Sequence, residues 1–257
     1  MASIFITGSS EGLGFMAGQL LAEQGHRVVL HARNAERAAD AHRALPAADA
    51  VVEGDVSTIA AMRSVAEQAN RIGRFDAVIH NVAVGYRERS RSETEDGLPL
   101  LVAVNVMAPY VLTALMQRPA RLVYLSSGMH QHASANLDDL LWRTRRWDGS
   151  QAYAESKLHD ALLAFAIARR WPDVKSNAVE PGWVPTRMGG PSAPDDLDEG
   201  RRTQAWLAAS DDANAQVSGA YFFHMRRRAA NPQAHDTALQ DRLLALCEQY
   251  SHVPMPA

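Results

Sequence analysis

The stretch Ser3-Ile4-Phe5-Ile6-Thr7-Gly8-Ser9-Ser10-Glu11-Gly12-Leu13-Gly14 decides how this chain is read. An apolar run, Ser3 to Thr7, passes directly into a turn holding three glycines. From Leu13 to Gln24 apolar residues then recur at helical spacing until Gly25 stops the helix. Glycines let a backbone turn sharply and approach a pyrophosphate, and the start of a helix offers N–H groups that lack internal partners. Thr7, Gly8, Ser9, Ser10, Gly12, Leu13 and Gly14 are therefore candidate dinucleotide-binding residues.

The alternation set by this stretch continues along the chain. Strands are expected at Arg27 to Ala32, Ala50 to Glu53, Phe75 to His80, Arg121 to Ser126, Val174 to Val179 and Gly219 to Phe223. Helices are expected from Asn34 to about Leu45, Ser57 to Arg71, Leu98 to Met116, Gln151 to Arg170 and Ala234 to Tyr250, with a kink at Pro109. Continuous apolar strands separated by helices imply an α/β fold, a parallel sheet covered on both faces. One domain over residues 1–257 is the expectation. The one compositional break, Pro181 to Arg202, is rich in Gly, Pro and Asp and reads as a substrate lid at about 183–206.

Composition narrows the class. The chain has 257 residues, 47% of them apolar, with 26 basic and 29 acidic side chains, a net charge of −3. That balance gives no electrostatic footprint for nucleic acid or an anionic membrane. The single cysteine, Cys247, excludes an internal disulfide and reads as a small buried hydrophobe. The longest uncharged apolar run, Ala161 to Ala168, is far below the ~20 residues that span a bilayer. Met1 to Ile6 runs into a strand with neither basic leader nor cleavage site, so a cytoplasmic protein is expected. His130-Gln131-His132 has no nearby Cys and no metalloprotease spacing, and no metal is expected.

The second strand ends in His31-Ala32-Arg33-Asn34. A carboxylate there would bind the adenosine ribose hydroxyls of NAD; Arg33 instead suits the 2′-phosphate of NADP, with NAD the weaker alternative. Glu11 adds negative charge close by and argues mildly the other way. Asp55 and Val56, after the third strand, stand either at the adenine edge or at a helix entry. Tyr153 and Lys157 lie four residues apart on one helix and share a face. A free phenol ionises near ~10, and an adjacent ammonium favours the phenolate, moving the group towards acid–base work.

Taken together these motifs resemble the short-chain dehydrogenase/reductase family. The residues that carry the resemblance are the Thr7, Gly8, Gly12, Gly14 turn, the Tyr153–Lys157 pair, Ser127 in Leu125-Ser126-Ser127, Asn105 in Val104-Asn105-Val106, and Pro181-Gly182-Trp183-Val184-Pro185-Thr186. The match covers nearly the whole chain. A long insertion between Ser127 and Tyr153, containing Leu137-Asp138-Asp139-Leu140, is most similar to the retinol-dehydrogenase and WW-domain-oxidoreductase type, whose bacterial relatives are often labelled ketoreductases.

The resemblance implies a Rossmann-type doubly wound sheet and hydride transfer between NADP(H) and a carbonyl or alcohol. Tyr153 would be the proton donor, Lys157 would lower its pKa and bind the nicotinamide ribose, Ser127 would hold the carbonyl oxygen, and Asn105 would hold a water linking Lys157 to solvent. Asn81, Ala83, Pro181, Gly182, Val184 and Thr186 would line the cofactor, Thr186 reaching its carboxamide. The family's Asn-Asn-Ala-Gly is here His80-Asn81-Val82-Ala83, two larger residues expected to crowd the ribose. Met129, His130, Trp183 and Met188 are candidate substrate-wall residues, while Trp142 and Trp147 are expected to pin the insertion. Arg226-Arg227-Arg228 reads as a solvated turn. The stripe Leu158, Leu162, Phe165 reads as core, although in this family such helices also build dimer interfaces, so a homodimer or homotetramer is plausible. Two other readings use related folds. One is a regulator that senses a dinucleotide without turnover. The other is an extended-type epimerase or dehydratase, whose glycine spacing differs and which needs a larger C-terminal region than follows Val179.

Overall fold

The computed structural model describes residues 1–257. Eight strands form one sheet in the order β3-β2-β1-β4-β5-β6-β7-β8. They are β1 (Ser3–Ile6), β2 (Arg27–Ala32), β3 (Ala50–Glu53), β4 (Ala77–His80), β5 (Arg121–Leu125), β6 (Lys175–Glu180), β7 (Tyr221–Phe223) and β8 (Arg226–Arg228). Strands β1 to β7 pair in parallel, and β8 returns antiparallel to β7. This is a doubly wound Rossmann-type sheet. Its strand order reverses between β1 and β4, which opens a crevice at their carboxyl ends.

The central strands β1 and β4 are almost wholly apolar because both faces of the sheet are covered. Phe5, Val29, Val78 and Leu122 enter one core, while Ile4, Ile6, Val28, Leu30 and Ile79 enter the other. The covering helices are α1 (Gly12–Glu23), α2 (Ala35–Ala44), α3 (Ile59–Ile72), α4 (Leu100–Val102), α5 (Ala108–Leu115), α6 (Gly149–Arg170), α7 (Leu197–Ala209) and α8 (Thr237–Ser251). Cys247 is fully buried on α8, as expected.

Three differences from the sequence reading have physical causes. The long central helix is broken by a π turn, Ala103–Met107, rather than kinked at Pro109. Pro109 has no N–H for the carbonyl four residues back, at Asn105, and the ladder slips so that Ala108 N–H reaches Ala103 O. The second half of the supposed lid is helix α7, capped by Asp196, with Thr203, Ala205, Leu207 and Ala208 buried and α1 packed alongside. Of the stretch expected to be a lid, residues 183–196 are irregular. Arg226 to Arg228 form the edge strand β8, where an exposed row of cations deters pairing with another sheet. The α6 stripe is core, as read from the sequence, with Leu158 and Leu162 fully buried and α8 lying over the helix.

At the β1/β4 junction the chain approaches itself closely. The Asn81 side-chain amide donates to the carbonyls of Thr7 (3.0 Å) and Gly8 (2.9 Å), and a Cβ on Gly14 would stand 2.3 Å from that amide nitrogen. Gly14→Ala is expected to displace Asn81 and cost about 1–3 kcal/mol of stability, read from urea denaturation midpoints. A midpoint equal to that of the unsubstituted chain would show that the junction tolerates a side chain.

Candidate active site

The glycine turn is held from beneath by its own polar residues. Thr7 Oγ1 accepts from the N–H groups of Asn81 (3.0 Å) and Val82 (3.1 Å). Ser9 Oγ donates to Ile6 O (2.7 Å) and accepts from His31 N–H (2.8 Å). Both side chains are fully buried, so Thr7 and Ser9, expected to touch a cofactor, instead shape the loop that would. Gly8 takes a positive φ of 60°, and a Cβ there would lie 2.8 Å from Val82 Cα. The missing side chain at Gly8 is therefore what lets the glycine turn and the backbone after β4 come this close.

What the turn presents is the bare end of α1. Helices α2, α3, α6, α7 and α8 each begin with a side-chain cap, from Asn34, Thr58, Asp148, Asp196 and Asp236. At α1 the N-cap position is Glu11, which makes no capping bond. The N–H groups of its first turn, from Gly12 through Gly14, are left for an external anion, with open space around Gly12. A dinucleotide pyrophosphate fits that vacancy of partners.

His31 emerges as a structural member of this cradle, on no sequence signal beyond its place at the end of β2. It is buried; Gly8 N–H donates to its Nδ1 (2.9 Å), which leaves Nε2–H to donate to Gly54 O (3.0 Å). Burial lowers its pKa from 6.5 to about 4, so the ring is neutral in ordinary buffers.

Arg33 is exposed beside a cleft of about 370 Å³ lined also by Ser10, Glu11, Asn34, Glu36, Arg37 and Asp40. Arg37 pairs with Glu11 at 2.9 Å, and Arg187 approaches the same carboxylate at 3.5 Å. Glu11, taken from sequence as opposing a phosphate, is thus compensated; the Arg37 hydrogen bond is the main reason its pKa is lowered. Arg37 escapes the sequence reading; it lies in the first turn of α2, while Arg33 precedes that helix. Asp55 Oδ1 accepts from Ser57 N–H (3.1 Å) at the entry to α3, and Val56 is buried.

Tyr153, Lys157, Ser127 and Asn105 converge at the carboxyl ends of β4 and β5. Lys157 Nζ donates to Leu125 O (2.7 Å) and Asp160 Oδ2 (2.8 Å), while Ser126 Oγ donates to Lys157 O (2.7 Å). Asn105, in the π turn, accepts from Val84 N–H (2.7 Å) and donates to Val84 O and Ser156 Oγ, both at 3.0 Å. These bonds lock the loop after β4 to α6. Tyr153 is 7% exposed. Burial raises its pKa above the usual phenol value of 10.0, against the pull of Lys157 and the Ser127 hydroxyl. The expected net lowering by Lys157 is therefore overturned in the protein alone, because desolvation outweighs the ammonium.

The walls differ from the sequence reading at one residue. His130 is buried, its Nδ1 against Ser127 O (2.8 Å), its Nε2 accepting from Asn231 N–H (3.2 Å), and its ring stacked on Tyr221. The 3-10 turn after Ser127 carries it inward, so it supports the wall rather than lining it. Met129 and Trp183 are exposed, and Met188 sulfur lies 4.0 Å from the Tyr153 hydroxyl. Trp183 donates to Gly189 O (3.0 Å), and Gly189 N–H donates to Thr186 Oγ1 (3.2 Å). Asp195 accepts from Trp183 N–H (2.6 Å) beside Gly182, and Pro181 and Val184 pack near Leu13 around Gly200. The root of this loop thus sits against the start of α1. The insertion is pinned by Trp142 edge-on to Trp147, and by Arg145, which stacks over Trp142 and pairs with buried Glu155 at 2.7 Å. No cluster of three or more His, Cys, Asp or Glu is arranged to hold a metal, and no helix is long and apolar enough to cross a membrane.

The family model described as enoyl-(acyl carrier protein) reductase matches residues 8–226. An uncharacterized oxidoreductase of Emericella nidulans is 44% identical over 260 residues, covering 100% of this chain and 99% of that one. A short-chain dehydrogenase of Gibberella zeae, chry4, is 39% identical over 262 residues, with 100% of both chains covered. Among solved structures, an uncharacterized protein from Mycobacterium paratuberculosis superposes with a TM-score of 0.86 at 26% identity, covering 100% of this chain and 96% of that one.

The His31 geometry predicts a proton-linked cradle. Its folded pKa lies below the unfolded value, so no penalty exists above pH 6.5, and stability is lost as pH falls from 6.5 towards about 4. The His31 ring resonances in NMR should not titrate between pH 8 and about 5. A midpoint near the unperturbed value, about 6.5, would contradict the tautomer assigned here.

Proposed function

The chain belongs to the short-chain dehydrogenase/reductase family, and from that premise we propose that it is an NADPH-dependent reductase of ketones or aldehydes. The observation that most supports this is the Tyr153 phenol, kept protonated by burial beside Lys157 and facing Met188 in the irregular segment 183–196. A bound nicotinamide would supply the hydride to the carbonyl carbon. Tyr153 Oη gives its proton to the carbonyl oxygen, and the Ser127 hydroxyl donates to the same oxygen as charge develops there. Lys157 stabilises the phenolate left behind until solvent returns the proton. Segment 183–196 closes over the substrate, with Met129, Trp183 and Met188 giving an apolar rim. The substrate is a small molecule bearing a carbonyl or, in reverse, a secondary or primary alcohol.

Tyr153→Phe should retain dinucleotide binding and lose roughly 10²- to 10⁴-fold in the rate of carbonyl reduction, measured by nicotinamide absorbance across a panel of aldehydes and ketones. Dinucleotide binding by the unsubstituted chain, with no turnover of any carbonyl, would point instead to a sensor on the same fold.

The choice of NADP rests on Arg33 and Arg37 flanking the cleft beside Ser10. Arg33→Ser should weaken NADPH binding by about tenfold or more and leave NADH almost unchanged, since a charge-assisted bond to phosphate is worth about 1.5–3 kcal/mol. Fluorescence titration with both dinucleotides reads this, and tighter NADH binding by the unsubstituted chain would overturn it.

A further inference from the structure

An ammonium has three N–H bonds to satisfy when it is taken out of water. At Lys157 two are committed, to Leu125 O at 2.7 Å and to Asp160 Oδ2 at 2.8 Å. The Lys157 and Asp160 side chains are 3% and 4% exposed, so this pair is desolvated on every side. Tyr153, Lys157 and Asp160 stand at i, i+4 and i+7 on α6, one face of about two turns. Asp160 is the third functional group of that face, and the reaction as derived above does not use it.

The surroundings leave the pair little other company. From β5, Tyr124 faces Asp160, its hydroxyl bonded to Thr113 Oγ1 (2.8 Å), which also contacts His80 Nε2 (2.9 Å). From β7, Tyr221 faces it, with Glu180 and Arg228 beyond. Burial pushes both phenols up and His80 down to about 3, so these three groups are uncharged near neutral pH. Lys157 is the one cation in contact with Asp160. Burial raises the Asp160 pKa to about 6 even with Lys157 beside it, so the carboxylate is ionised at neutral pH. Its negative charge then acts on the Tyr153 phenol in the sense opposite to the ammonium.

We propose that Asp160 is a positioning residue of the Tyr153–Lys157 pair: its carboxylate fixes the Lys157 ammonium against the end of β5 and offsets its charge, so that Tyr153 keeps its proton until a carbonyl takes it. Asp160 leaves Lys157 one N–H for a ribose hydroxyl, which sets the direction from which that hydroxyl is met. This deepens the reductase reading and rests on it, but its physical core, the effect of Asp160 on Tyr153, is present without substrate.

The test is Asp160→Asn, which leaves an oxygen acceptor for Lys157 and removes the charge. The phenolate absorbance of Tyr153 is titrated in the dinucleotide-free protein, as the difference from the same chain carrying Tyr153→Phe. The midpoint should fall by on the order of one pH unit in Asp160→Asn and stay near its original value in Asp160→Glu. The alkaline limb of kcat/KM for carbonyl reduction should move down with it. An unchanged Tyr153 midpoint in Asp160→Asn, or an equal fall in Asp160→Glu, overturns the proposal. Should Asp160→Asn fail to fold by circular dichroism, Asp160→Ser removes the same charge and is read in the same way. A shifted midpoint in a protein that reduces no carbonyl sinks the reductase reading and leaves the Asp160 pairing standing; turnover with an unshifted midpoint does the reverse.

Discussion

Gly8 and Gly14 have no Cβ, and at the junction of β1 and β4 that lets two strand ends share one set of hydrogen bonds. Asn81 reaches two carbonyls of the glycine turn, while Thr7 accepts two N–H groups from the β4 end. The strand order reverses here, so the crevice opens where the backbone is held most tightly. His31 closes the underside by joining Gly8 to Gly54. Because all these groups satisfy one another, the N–H groups of α1 are the ones left over, and they face outward. A side chain at either glycine would force the turn away from Asn81 or Val82 and with it the end of α1.

The second constraint is the burial of an ion. Lys157 is deep enough that its charge survives only with partners, and each partner comes from a different piece of chain. Leu125 O belongs to the end of β5, and Asp160 to the next turn of α6. Ser126 returns a bond to Lys157 O, and Asn105 reaches Ser156 from the π turn. The π turn follows from Pro109, so one missing N–H in the central helix bears on the rigidity of the catalytic face. Tyr153 inherits the result: its phenol is buried beside a neutralised cation, and desolvation, more than Lys157, sets its proton affinity.

The framework was readable from the amino acids because its signals are local and repeated. The strand–glycine–helix stretch from Ser3 to Gly14, the apolar strands and the Tyr153–Lys157 spacing each have a short-range physical cause. What was not readable depends on where a side chain points after the chain has packed. Ser9 and Thr7 look like ligands in a phosphate turn, yet both face inward. His130 follows Ser127 closely enough to suggest the pocket wall, and a 3-10 turn carries it into the interior against Tyr221. Helix α7 was hidden by the Gly, Pro and Asp content before it. Asp196 followed by Leu197, Asp198 and Glu199 is a cap with an acidic first turn, a signal strong enough to have found it. Asp160 gave no such signal, since an acid three residues from a lysine on a helix is ordinarily a solvated pair of small consequence.

The same distinction bears on the adenosine end of the site. Arg33 could be read because it stands at the end of β2, but its weight depends on Glu11, and Glu11 depends on Arg37 and Arg187, which come from α2 and from the segment after β6. With Glu11 paired to Arg37, Arg33 is the cation of the cleft beside Ser10 that is not held by a carboxylate, although Glu36 and Asp40 also line the cleft. Arg187 belongs to the irregular segment after β6, so the ion pair joins that segment to the glycine turn. These charges are largely exposed, and each pair is worth little alone. Glu11 thus ties the start of α2, through Arg37, to the segment after β6, through Arg187.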